Sequence, residues 1–124
     1  MTLHILATVM NADRLKSVTV FRTVRDGFPT ADIVVYGNDI EDNHSRKTIA
    51  SAAAYVGAHY TNIARHSHGQ WIEKLLANAS EPFWICDTDI VFFDKVEDWF
   101  AGSPELYAGR YEPQFWEPWT ETVH

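Results

Sequence analysis

The chain has 124 residues, with 17 acidic and 10 basic side chains and a formal net charge of -7. That length fits one domain spanning residues 1–124, and 46% hydrophobic and 14% aromatic residues supply a core and argue against disorder. The acidic balance excludes a duplex nucleic-acid binder, which needs a basic face, but leaves room for a nucleotide bridged by a metal ion. Cys86 is the one cysteine, so an intrachain disulfide and a CxxC zinc site are excluded; a reducing, cytoplasmic setting is expected. Met1 to Met10 has no basic n-region and no small-residue cleavage site, and reads as a strand rather than a signal peptide. No run approaches the roughly 20 apolar residues of a membrane span.

Leu3 to Val9 reads as a buried first strand. Asn11 and Asp13 are good helix caps, and Leu15, Val18, Phe21 and Val24 recur at helical steps over Asp13 to Arg25, until Gly27 and Pro29 stop the pattern. Ile33 to Tyr36 is a second strand, ending in Gly37-Asn38-Asp39. An acidic loop through Glu41, Asp42 and Asn43 leads to Ile49, Ala52, Ala53 and Val56, an amphipathic helix face closed by Gly57. His59 to Ile63 is a weaker third strand. A polar turn, Arg65 to Gly69, leads into Trp71, Ile72, Leu75, Leu76 and Ala79 at helical spacing. Ser80-Glu81-Pro82 breaks that helix, and Phe83-Trp84-Ile85-Cys86 opens a fourth, apolar strand into Asp87-Thr88-Asp89. Ile90 to Phe93 is then expected to return to the core. Asp94 to Phe100 suggests a short helix with Val96, Trp99 and Phe100 inward, and Leu106 to Tyr111 another strand. The aromatic, proline-punctuated tail at Glu112 to Trp119 has no period.

Strand and helix alternate three times before Asp87, the mark of βα units on a mostly parallel sheet. The expected fold is a three-layer, Rossmann-like α/β sandwich with helices on both faces. Ligands of such sheets sit beyond the carboxyl ends of the strands. The turns at Met10 to Asp13, Gly37 to Asp42, Ala64 to Gly69 and Asp87 to Asp89 therefore share one edge and converge on one crevice. Two carboxylates at the exit of an apolar strand are the hard oxygen ligands that Mg2+, Mn2+ and Ca2+ prefer; the plain alternative is a turn whose aspartates cap backbone amides.

The segment Phe83 to Phe93, with the βα units before it, resembles the DxD region of GT-A-fold glycosyltransferases, and the resemblance covers most of residues 3 to 100. It implies a nucleotide-sugar donor, UDP- or GDP-linked, a hydroxyl-bearing acceptor and a divalent cation, Mn2+ or Mg2+. By that resemblance Asp89 ligates the metal and Asp87 contacts the metal or the donor's ribose. Thr8 and Val9 lie by the base, Asp39 holds the base or ribose, and Arg65 meets the nucleotide or its phosphates. His124 is a further metal ligand, as a C-terminal histidine is in some relatives. An inverting enzyme also needs a general base; Glu112, Glu117 and Glu121 match no motif for it, and the acceptor-binding part expected after the DxD is short or missing.

Two other readings stay open. One is a non-catalytic nucleotide-sugar-binding or interaction module. The other, ranked lower, is a haloacid-dehalogenase-like phosphatase, whose DxDxT/V motif normally follows the first strand. His66 and His68 alternate in a polar turn and offer ligands to a metal, but are expected to face solvent or, when protonated, to help seat a phosphate. Cys86, Trp71, Trp84 and Trp99 are expected in the core.

Overall fold

The alternation of periods carries directly into the architecture. The computed structural model describes residues 1–101, 116–117 and 122–123. Four strands, β1 (Thr2–Ala7), β2 (Asp32–Asn38), β3 (His59–Ile63) and β4 (Trp84–Cys86), form one sheet in the order β3-β2-β1-β4, parallel throughout. Helices α1 (Arg14–Gly27), α2 (Asn43–Tyr55) and α3 (His68–Asn78) connect them. Right-handed crossovers put two helices that step the same way on one face and a helix that steps back on the other. Phe21 and Val24 of α1 and Ile49, Ala52 and Ala53 of α2 pack in one buried cluster with Leu3, Ile5, Ala7, Ile33 and Val35. Trp71 of α3 meets Tyr36, which alternation puts on the opposite face. The fold is thus α/β, a Rossmann-like parallel sheet between helices.

Each helix starts where the sequence supplies a cap. Asp13 Oδ1 accepts from the Lys16 amide (3.2 Å). Asp42 Oδ2 accepts from the Ser45 amide (2.9 Å) and hydroxyl (2.6 Å), and these bonds hold its carboxyl below the usual range. Ser67 and Gln70 form a reciprocal capping box at α3, so two orphan amides are satisfied at once. At the far end of α1, the Arg25 guanidinium donates to the carbonyls of Val56 (2.9 Å) and Ala31 (2.7 Å), fastening α1 to the end of α2.

Several expectations need correction. The first strand stops at Ala7 rather than Val9. Asn11 Oδ1 takes the Thr8 amide at 2.8 Å, and Val9–Ala12 winds into a single 3-10 turn. The fourth strand is three residues long and lies at a sheet edge; Cys86 is buried, but Ile85 is exposed. The apolar run after Asp89 does not re-enter the core as a unit. Phe92 packs on Phe28 with ring centroids 5.5 Å apart, while Phe93 is 93% exposed. On α3, Trp71 is buried but Leu76 is exposed, because one helix covers only part of that sheet face. The short helix is α4 (Glu97–Ala101); Val96 packs on the core, but Trp99 is 58% exposed. The side chains of Leu15 and Phe100, the strand expected at Leu106 to Tyr111, and Glu112, Glu121 and His124 lie outside the described residues. Of the tail, β5 (Trp116–Glu117) and β6 (Thr122–Val123) pair antiparallel.

Candidate functional site

Parallel pairing fixes where the candidate residues emerge. The strand order reverses at β1, because the chain steps outward through β2 and β3 and then returns to place β4 on the other side. Ligands of open α/β sheets bind at such a reversal, outside the carboxyl ends. Ile5 stands opposite Cys86, so Asp87 leaves the sheet beside the last residues of β1. Thr8 and Val9 follow in the adjoining turn, with Val9 exposed. Asp87 and Asp89 are exposed. Their charges lie close enough to Cys86 to add to burial, the larger cause, in pushing its thiol up to about 12. Cys86 is accordingly an inert core thiol.

The other half of the candidate site lies at the ends of β2 and β3. Gly37 is needed there because a Cβ would collide with the Tyr60 hydroxyl and the Asn62 side chain. Asp39 follows with a left-handed φ of 52°, uncommon for a residue with a side chain. Its amide donates to Ile63 O at 2.8 Å, which holds the turn against β3 and aims the carboxylate toward Arg65, 3.7 Å away at Nε. Asn38 fixes the turn after β3 from beneath. Its amide nitrogen donates to His66 O and its oxygen accepts from His66 N, both at 2.9 Å.

The same turn reaches the aspartate pair. His68, the first residue of α3, stands three positions after Arg65, and its Nε2 lies 3.5 Å from Asp87 Oδ1. The β3–α3 turn therefore touches Asp39 through Arg65 and Asp87 through His68, from strands on either side of β1. Among the described residues no three histidine, cysteine, aspartate or glutamate side chains converge on one point. Asp89 extends from the same turn as Asp87. His124 and any contact it makes lie outside the described residues.

Two contacts are not legible in the sequence. Asn38 read only as a strand end, although an amide side chain between Gly37 and Asp39, just where a parallel strand stops, is a signal for a turn clamp. His68 was read as solvent-facing; its pairing with Asp87 depends on the length of α3 and on β4 lying next to β1, neither of which local sequence encodes. No helix among the described residues is long and apolar enough to cross a membrane. Comparison with protein-family models, curated proteins and solved structures finds no match.

Proposed function

We propose that the crevice at the strand ends binds a UDP- or GDP-linked sugar, and that the chain is a glycosyltransferase of GT-A type or the donor-binding half of one. The observation that carries this reading is the β3–α3 turn, which links Asp39 and Arg65 with the Asp87-Thr88-Asp89 turn across β1. One acidic group, one guanidinium and a carboxylate pair are the groups a ribose, a diphosphate and a divalent cation require.

The donor set suits Mn2+ or Mg2+, since two exposed carboxylates leave coordination positions for diphosphate oxygens and water. When bound, such an ion stabilises the charge that builds on the leaving diphosphate. Asp89 and Asp87 hold it. The Asp39 carboxylate accepts hydrogen bonds from ribose hydroxyls or the base, Arg65 faces the phosphates, and Thr8 and Val9 flank the base. His68 Nε2, 3.5 Å from Asp87 Oδ1, stands beside that carboxylate at the edge of the site. Transfer passes the sugar from the diphosphate oxygen to an acceptor hydroxyl, whose proton leaves with a base not assigned to any described residue.

Calorimetry with UDP and GDP, with and without Mn2+, tests the reading. One of them should bind in a cation-dependent manner, and Asp89→Ala should weaken it at least about tenfold, the lower end of what altering the groups around a metal site costs. No binding of either nucleotide in the presence of Mn2+ would sink the proposal. Binding without turnover of any UDP- or GDP-sugar would leave the donor-binding module.

A further inference from the structure

The sheet face opposite α1 and α2 holds a cleft that the crevice at the strand ends does not use. Its volume is about 650 Å³, within the range of small-molecule sites. Thr2 and His4 of β1 and Tyr36 of β2 form the floor, the middle of α3 forms one wall, and the 79–83 segment forms the other. The rings of His4, Tyr36 and Phe83 are among the lining side chains. His4 meets Phe83 edge-on, with centroids 5.2 Å apart, and Tyr36 meets Trp71 at 5.6 Å.

The polar groups are ordered by depth. At the floor, His4 Nδ1 and the Tyr36 hydroxyl share a 2.8 Å hydrogen bond. Burial lowers the His4 pKa and raises that of Tyr36, so the floor is uncharged near neutral pH. Trp71 lines the cleft and is 2% exposed; its indole N–H has no hydrogen-bond partner among the described residues, a rare condition for a buried donor. Charge stands on the walls. Lys74 and His66 lie on the α3 side and its leading turn, against Glu81 on the opposite segment. No ion pair engages Lys74 among the described residues.

We infer that this cleft is a second ligand site, for a planar, ring-bearing molecule with one acidic group, its ring against Tyr36 and Phe83 and its acid at Lys74. An uncharged floor of ring side chains, its polar atoms paired with each other, suits the ring. The Lys74 ammonium, in no ion pair among the described residues, offers one anionic group a partner, and Glu81 on the facing segment disfavours a second. An acceptor atom near the ring would serve the Trp71 N–H. The site shares no side chain with Asp39, Arg65, Asp87 or Asp89, so it stands whether or not the donor reading does.

The probes are 1-naphthoate and its uncharged amide, 1-naphthamide, titrated into the full chain by calorimetry and followed by amide NMR shifts. Naphthoate should bind saturably and shift amides of β1, α3 and the 79–83 segment. Lys74→Gln should weaken naphthoate about three- to fivefold, as for a partly exposed charge pair, and leave naphthamide unchanged. Leu75→Trp, which fills the cleft, should abolish both. If that variant does not fold, Ser80→Trp on the other wall takes its place. Asp89→Ala and Arg65→Ala should bind naphthoate as the parent does. The proposal is overturned if naphthoate does not bind, if Lys74→Gln weakens neither or both probes alike, or if the shifts gather at Asp87 and Arg65.

Discussion

Asp39 combines a backbone cost with a side-chain role. A residue with a Cβ in the left-handed region is strained by roughly 1–2 kcal/mol relative to an unstrained position, and glycine escapes that penalty. The turn keeps an aspartate because Gly37, two residues earlier, already takes the crowded position and the carboxylate is directed at Arg65. Asp39→Gly should therefore be more stable than Asp39→Ala by about 1 kcal/mol in urea denaturation, while both lose nucleotide affinity. Equal stability of the two variants would remove the backbone argument. The sequence pointed to Asp39 by its place after a strand. Its left-handed backbone was not legible, since that geometry is set by the Ile63 carbonyl twenty-four positions on.

Helix α4 shows how a short element is held by one buried charge. Five residues cannot sustain a helix alone. Glu97 is buried, and its carboxylate accepts from the Thr30 hydroxyl at 2.7 Å and the Thr30 amide at 3.2 Å. The Val96 amide donates to Gly27 O at 3.0 Å, and Phe92 covers Gly27 and Phe28. The chain after the aspartate turn is thereby returned to the start of β2, the edge opposite the crevice. Glu97→Ala should cost about 2 kcal/mol, the scale of hydrogen bonds to a charged group. A Thr30→Ala, Glu97→Gln double-mutant cycle should show a coupling of at least about 0.5 kcal/mol; strict additivity would mean that the carboxylate acts elsewhere. The short helix is expected from its apolar residues, and nothing local marks Glu97 as buried. Both Phe92 and Phe93 are expected to return to the core, and the packing of Phe92 on Phe28 separates a covered ring from an exposed one.

At the scale of the molecule, the alternation of strand and helix was readable because the apolar period changes at Gly27, Gly57 and Pro82, where the chain must turn. Strand order was not. Phe83 to Cys86 is apolar enough for a central strand, yet β4 pairs on one side through only three registered positions, and a short apolar run does not distinguish an edge from a centre. The sheet should loosen from that side. Amide exchange should be slowest in β1 and β2, which share six registered positions, and markedly faster in β4; protection of β4 equal to that of β1 would contradict the edge assignment. The opposite side is differently made. With both amide bonds from Asn38 to His66 formed before any ligand arrives, the turn bearing Arg65 and His68 is already immobilised when the chain folds. Recognition at the crevice then carries little ordering entropy, and a guest meets a rigid socket rather than a segment that must first be organised around it.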